Sequence, residues 1–232
     1  MRLSLAKSTD RTHQIKAVIF DMDGLLLDTE TLSFDSFVTT AARHQIVVDM
    51  EQYQDMIGLN AATSINTLRS ILPTNMDAVT FKNEWLAVYR KLLDGDVPSK
   101  EGAHAFLSTL QQLDIPCAVA TSSSGTKARS ILKKTGLLTY IQHVTGGDEV
   151  KAGKPAPDVY FDAANKLGIK PIDCIAFEDS DNGTTAALAA GMKVVQIPDL
   201  VPSNRLADPP NLYICKNLTE GASLIGLSIK VH

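Results

Sequence analysis

Short runs of consecutive apolar residues recur along this chain and alternate with stretches of helical periodicity. A short run of such residues predicts a buried strand, because strands of a parallel sheet are covered on both faces. The predicted strands are Ala17–Phe20, Cys117–Ala120, Cys174–Phe177, Val194–Ile197 and Leu212–Cys215. Helical patterns follow at 127–134, 157–167 and 184–190. The alternation predicts an α/β fold with a parallel sheet in three layers.

One region between the first two predicted strands breaks this alternation. Residues 28–97 show no strong strand pattern, and they contain four amphipathic stretches, at 31–44, 50–57, 61–72 and 77–93. We therefore expect an all-helical domain of residues 28–97, inserted after the first strand. The α/β core would then comprise residues 15–27 and 98–232.

Charge and composition limit the kinds of partner. The chain has 22 basic and 26 acidic residues and a formal net charge of −4, which argues against nucleic acid or an anionic membrane as the main partner. No apolar run approaches the ~20 residues of a membrane span. Residues 1–14 are polar without the apolar core of a signal peptide, so we expect a flexible tail. Three cysteines in apolar runs fit buried thiols, and we expect a cytoplasmic protein.

Two aspartates directly follow the first predicted strand, in the sequence Asp21-Met22-Asp23-Gly24. Ligands of open α/β sheets bind beyond the carboxyl ends of the strands. Side chains at i and i+2 of an extended chain share a face, so both carboxylates can point at one substrate. One aspartate can attack while the other handles a proton, although a short Asp-x-Asp pattern also occurs in loops and metal sites.

Hydroxyl groups and a lysine follow in later loops. Thr121, Ser122 and Ser123 come after the second predicted strand and open a helix, where hydroxyls and free N–H groups suit phosphate oxygens. The alternative is an ordinary helix cap. Lys154 lies before two prolines that stiffen the backbone, so it could reach a nucleophile and a phosphate together. A surface lysine is the alternative.

Two acids, Glu178 and Asp179, follow the predicted strand Cys174–Phe177. Carboxylates supply the hard oxygen ligands that Mg²⁺ prefers. The alternative is an acidic turn that caps the next helix, and we expect Asp181 and Asn182 to be the capping residues there.

Taken together, these four segments resemble the four motifs of the haloacid dehalogenase-like hydrolase superfamily, from about residue 16 to about residue 200. The helical insertion resembles the cap of the subgroup that contains β-phosphoglucomutase and many sugar-phosphate phosphatases. This resemblance implies a Rossmann-like core with a helical cap that closes over the active site.

The resemblance also implies roles for individual residues. Asp21 is the implied nucleophile and Asp23 the acid/base. The implied Mg²⁺ ligands are Asp21, the backbone carbonyl of Asp23 and Asp179, with Glu178 in or near the coordination shell. The implied phosphate-binding residues are Thr121 and Lys154, with contacts from Gly24, Ser122 and Ser123.

Asp23 favours phosphoryl transfer over dehalogenation, because halide needs no proton on leaving. Ser33 stands where a mutase of this family is expected to have histidine, and the segment 57–63 has no arginine after its glycine. We therefore predict a Mg²⁺-dependent phosphatase that hydrolyses a small sugar or polyol phosphate through an aspartyl-phosphate. A β-phosphoglucomutase-type mutase and a non-catalytic binding module are the alternatives. We expect a monomer whose partner is a small phosphorylated metabolite.

Overall fold

The protein divides into two compact units, seen in a computed structural model that describes residues 15–57, 61–203 and 209–229. One unit ends at Leu27 and resumes at Pro98, and the other is Asp28–Val97. The predicted flexible tail, residues 1–14, lies outside the described residues.

A six-stranded parallel sheet forms the centre of the first unit, in the order β3-β2-β1-β4-β5-β6. The strands are β1 (Ala17–Phe20), β2 (Cys117–Ala120), β3 (His143–Thr145), β4 (Cys174–Glu178), β5 (Lys193–Gln196) and β6 (Leu212–Ile214). This sheet confirms the predicted α/β fold. Because β1 lies between β2 and β4, the loops after these three strands meet at one edge.

The helices within the described ranges are α1 (Thr29–Arg43), α2 (Met50–Gln54), α3 (Ala61–Ile71), α4 (Ala78–Asp94), α5 (Ala103–Gln112), α6 (Gly125–Lys134), α7 (Asp158–Leu167), α8 (Asp181–Ala189) and α9 (Leu218–Leu224). No helix described there is long and apolar enough to cross a membrane.

The sequence reading missed the strand β3. It has three residues, one of which, His143, is exposed, so no apolar run marks it. It pairs with β2 and extends the sheet on that side. Helix α5, between the helical insertion and β2, was also not predicted.

Side chains of β1 alternate between two apolar layers. Phe20 packs against Phe106 of α5 and Phe177 of β4, with ring centroids 5.2 and 5.3 Å away. Ala17 and Ile19 belong to the opposite layer, which includes Tyr160 of α7. Asp21 is two residues after Ile19 and four after Ala17, so the alternation along the strand assigns all three to the same face of the sheet. This register sets the side of the sheet on which the nucleophile candidate lies.

The second unit is helical and is held together by aromatic packing between α1 and α4. Phe37 lies edge-on to Phe81 and Trp85, with centroids 5.7 and 5.2 Å away. The Trp85 indole donates to the Ser33 carbonyl at 3.1 Å and to Ser36 Oγ at 2.9 Å. Trp85 is therefore a packing residue of this unit.

Candidate active site

The buried carboxylate of Asp21 stands at the centre of a cluster at the carboxyl ends of β1, β2 and β4. Asp21 follows β1 directly and is 5% exposed. Its backbone N–H donates to the Phe177 carbonyl at 2.9 Å, which continues the β1–β4 pairing by one residue. The sheet therefore fixes the backbone of Asp21.

Lys154 connects the ends of all three strands. Its ammonium donates to Asp21 Oδ1, to Glu178 Oε1 at 2.6 Å and to the Ala120 carbonyl at 3.0 Å. The side chain is only 5% exposed, so Lys154 is not the surface lysine of the alternative reading. Burial disfavours the charged form, but the two carboxylates outweigh it and raise the pKa of Lys154 above its usual value.

Glu178 is fully buried and both of its oxygens are occupied. Oε1 accepts from Lys154 and from the Tyr160 hydroxyl at 2.8 Å. Oε2 accepts from the N–H groups of Asp179 and Ser180 and from Ser180 Oγ, each at 3.0 Å. Burial opposes ionisation, yet Lys154 and these donors lower the pKa of Glu178. Glu178 is thus a fixed negative charge that shares the Lys154 ammonium with Asp21.

Gly183 of α8 makes room for the Glu178 carboxylate. A Cβ at this position would lie 1.7 Å from Glu178 Oε1. The helix also starts differently from the prediction: Ser180 is the N-cap, accepting the Gly183 N–H at 3.1 Å, and the expectation for Asp181 and Asn182 was wrong. Ser180 therefore serves the helix and Glu178 together.

Three carboxylates lie close enough to hold a cation. Oxygens of Asp21, Glu178 and Asp179 all lie within 4.8 Å of one another. A Cβ on Gly24 would lie 2.4 Å from Asp179 Oδ2, so the missing side chain leaves room for this carboxylate. Gly24 also adopts φ +84°, a conformation that favours glycine. The donors are all oxygen, which fits Mg²⁺.

The carboxylates gathered around Asp21 repel one another. Burial raises the pKa of Asp21 to about 8, the neighbouring Glu178 and Asp23 act in the same direction, and Lys154 opposes them. One lysine faces several carboxylates here. A divalent cation would relieve this excess of negative charge.

The Asp23 carboxylate is hydrogen-bonded to the loop after β2. Its Oδ2 accepts from Ser123 Oγ at 2.8 Å and from Thr121 Oγ1 at 3.3 Å. Thr121 is buried, whereas Ser122 is exposed. The Ser123 hydroxyl, predicted to contact phosphate, here contacts the candidate acid/base.

The sequence analysis missed Tyr160, Ser180 and Gly183 as parts of the site. A tyrosine on the apolar face of a predicted helix was the available signal for Tyr160, because its buried hydroxyl needs an acceptor. The roles of Ser180 and Gly183 depend on the orientation of Glu178, and no pattern in the chain marks that orientation.

Known proteins resemble this chain over most of its length. The family model described as haloacid dehalogenase-like hydrolase matches residues 18–197. The (DL)-glycerol-3-phosphatase 2 of Arabidopsis thaliana is 36% identical over 199 residues, covering 80% of each chain. The fructose-1-phosphate phosphatase of Escherichia coli is 32% identical over 183 residues, covering 78% of this chain and 95% of its own.

Solved structures share the fold. A haloacid dehalogenase hydrolase of family IA, variant 3, from Entamoeba histolytica has a TM-score of 0.71 and 26% identity, covering 92% of this chain and 100% of that one. A β-phosphoglucomutase of Clostridium difficile has a TM-score of 0.60 and 22% identity, covering 80% and 85%. At that identity the second likeness shows the fold alone.

Proposed function

The chain belongs to the haloacid dehalogenase-like hydrolase family, and on this premise we propose that it is a Mg²⁺-dependent phosphatase of small phosphomonoesters. The reaction would pass through an aspartyl-phosphate on Asp21. We propose a sugar or polyol phosphate as substrate, the class on which the two phosphatase relatives are named to act.

One observation carries the proposal. A buried carboxylate, Asp21, is bound by the buried ammonium of Lys154, while a second carboxylate two residues later is held by hydroxyl groups. The first environment suits a nucleophile and a developing phosphoryl charge, and the second suits a group that exchanges protons. A binding module would have no need to bury the charges in this way.

In the first step an oxygen of Asp21 attacks phosphorus and forms the O–P bond of the aspartyl-phosphate. The bond between phosphorus and the leaving oxygen breaks, and Asp23 donates a proton to that oxygen. The Lys154 ammonium, already bound to Asp21, is placed to stabilise negative charge on the phosphoryl oxygens. Thr121, in the loop after β2, would donate a hydrogen bond to a phosphoryl oxygen as well.

In the second step a water molecule attacks phosphorus and gives a proton to Asp23. The bond between Asp21 and phosphorus breaks, orthophosphate leaves, and Asp21 is regenerated as a carboxylate. Mg²⁺ held by Asp21 and Asp179, together with the Asp23 carbonyl, would neutralise phosphoryl charge and favour ionised Asp21. We propose that Glu178 lies behind these ligands and does not contact the ion directly, because its oxygens already accept five hydrogen bonds.

Substrate choice is proposed to lie in the helical unit, residues 28–97, acting as a cap. The segment 58–62 of this unit lies outside the residues whose side chains the structure describes. Ser33 belongs to α1. We further propose that the protein acts in the cytoplasm as a monomer.

Release of phosphate from a panel of sugar and polyol phosphates tests the proposal. We expect turnover with Mg²⁺, loss of turnover when EDTA is added, and no turnover by Asp21→Asn at any Mg²⁺ concentration. A folded wild-type protein that released no phosphate from any member would leave the binding-module alternative.

The mutase alternative is tested by the product. With a hexose phosphate and Mg²⁺, a phosphatase produces orthophosphate, whereas a mutase produces the isomeric sugar phosphate. Phosphorus NMR distinguishes the two signals. Accumulation of the isomer would contradict the phosphatase proposal while leaving the role of Asp21 intact.

A further inference from the structure

Two hydroxyl groups converge on a single oxygen of Asp23. Ser123 Oγ lies 2.8 Å from Oδ2, and Thr121 Oγ1 lies 3.3 Å from the same atom. The Ser123 backbone N–H donates to Thr121 Oγ1 at 3.0 Å, so the two residues are also joined to each other.

The two bonds are not equivalent. A hydroxyl has one proton and can donate to one acceptor at a time. The Ser123 bond has the ordinary length of an O–H···O hydrogen bond, whereas the Thr121 bond is long and weak. Thr121 can therefore turn its proton to a phosphoryl oxygen at little loss, while Ser123 keeps its proton on Asp23.

The other oxygen of Asp23, Oδ1, lacks such hydrogen-bond donors among the described residues. Oδ1 is buried and accepts no hydrogen bond from the residues that the structure describes. A neutral carboxyl group carries its proton on one oxygen only. Since Oδ2 already accepts from Ser123, the proton of a neutral Asp23 belongs on Oδ1.

We propose that Ser123 is a positioning residue for Asp23, not a ligand of the phosphoryl group. By holding Oδ2 it orients the carboxyl group so that Oδ1 exchanges the proton with the leaving oxygen and then with water. This inference rests on the proposed phosphatase function, and it assigns Ser123 a role different from the phosphate contact that the sequence predicted.

The backbone around Ser123 is fixed by the loop after β3. The Ser123 carbonyl accepts from the Gly147 N–H at 2.9 Å, and the Gly125 N–H donates to Asp148 Oδ1 at 2.7 Å. A Cβ at Gly147 would lie 2.7 Å from the Ser122 carbonyl oxygen, so the two loops are in close contact. Ser123 is thus held firmly enough to orient another side chain.

Two substrates that differ in their leaving group test this role in the 232-residue chain with Mg²⁺. p-Nitrophenyl phosphate releases a stable phenolate that needs no proton, whereas glycerol phosphate must release a protonated alcohol. For Ser123→Ala we compare kcat/KM, which covers only the steps up to release of the leaving group, because the later attack of water is the same for both substrates. We expect kcat/KM on glycerol phosphate to fall about 10- to 100-fold, and kcat/KM on p-nitrophenyl phosphate to fall less than about 3-fold. Ser123→Thr keeps the hydroxyl and should restore turnover to within about 3-fold of wild type.

Inhibition by orthophosphate is the second readout. If Ser123 only positions Asp23, the inhibition constant for orthophosphate changes less than about 2-fold in Ser123→Ala. Ser123→Cys keeps the volume with a weaker donor, and it makes the same comparison if the alanine protein does not fold.

Equal losses of kcat/KM on both substrates, no loss on either, or markedly weaker inhibition by orthophosphate would each overturn the positioning role. A folded wild-type protein that hydrolysed neither these two substrates nor any member of the sugar and polyol phosphate panel would instead refute the proposed function, and the role of Ser123 would fall with it. The activity of the wild type on these substrates and on the panel therefore separates the two failures.

Discussion

The Tyr160 hydroxyl donates to Oε1 of Glu178, the same oxygen that accepts from Lys154. The ammonium also lies 5.1 Å from the centre of the Tyr160 ring. Tyr160 thus contacts both members of the buried ion pair, as a hydrogen-bond donor to the anion and as an aromatic face for the cation. It links helix α7 to the end of β4.

Tyr160→Phe removes this donor and leaves Glu178 one hydrogen bond short in a buried site. We expect a loss of about 1–3 kcal/mol in the free energy of unfolding. Urea denaturation measures it. Tyr213→Phe, on the partly exposed edge strand β6, is the control and should change stability by less than about 0.5 kcal/mol. Equal effects of the two changes would contradict the role of the Tyr160 hydroxyl.

Gly183→Ala places a methyl group where the Glu178 carboxylate lies. Since the Cβ would fall 1.7 Å from Oε1, the carboxylate must move and lose its hydrogen bonds. We expect a loss of more than about 2 kcal/mol, seen as a clear drop in Tm. At Gly153 a Cβ meets nothing within 4 Å, so Gly153→Ala should leave Tm nearly unchanged. A Gly183→Ala protein as stable as wild type would show that Glu178 is held differently.

Lys154→Met removes the cation shared by Asp21 and Glu178. Breaking a buried ion pair from one side leaves uncompensated charge, and we expect a loss of about 3–5 kcal/mol in stability together with loss of turnover. The matched control is Lys16→Met, which breaks an ion pair to Asp173 at 2.9 Å whose lysine is 57% exposed. That change should cost less than about 1 kcal/mol. Similar losses for both lysines would contradict the buried pairing.

The stability of the metal-free protein should depend on pH through Asp21. Because burial raises its pKa from 3.8 to about 8, the folded protein holds a proton that the unfolded chain releases between these values. The stabilisation is complete below about pH 4 and is lost as pH rises through about 8, with a slope of at most about 1.4 kcal/mol per pH unit.

Thermal unfolding in EDTA from pH 5.5 to 8.5 measures this dependence. Asp21→Asn cannot release the proton and should show a flatter profile and a higher Tm at pH 8. Addition of Mg²⁺ to wild type should release protons into a weakly buffered solution, because the ion favours the carboxylate. A wild-type profile no steeper than that of Asp21→Asn would refute the raised pKa.

Most of the sheet could be predicted because its strands are buried on both faces. β1 and β2 have the predicted bounds, and β5 differs by one residue at each end. β3 was missed because Val144 is its only fully apolar, buried residue. An edge strand of three residues is specified by pairing with its neighbour, which no local pattern reveals.

The site could be predicted only in part. Asp21 and Asp179 stand out because charged residues close after apolar runs are unusual, and the parallel sheet brings such positions together. Lys154 stands out only through the two prolines that follow it and the resemblance to a family motif. The partners of each side chain could not be predicted. Whether Ser123 faces phosphate or Asp23 depends on side-chain torsions and on strand order. The same holds for the Tyr160 hydroxyl, which finds its acceptor on a strand paired with β1.

The central position of β1 means that the site is completed late during synthesis. Asp23 is separated from Thr121 by 98 residues, and Asp21 from Lys154 by 133. Asp21, the proposed nucleophile, leaves the ribosome among the first residues of the fold, but the strands on both sides of β1 follow only after the whole helical insertion has been made. A nascent chain that stops before Lys154 therefore carries the aspartates without the lysine and the strand β4 that surround Asp21 in the folded protein.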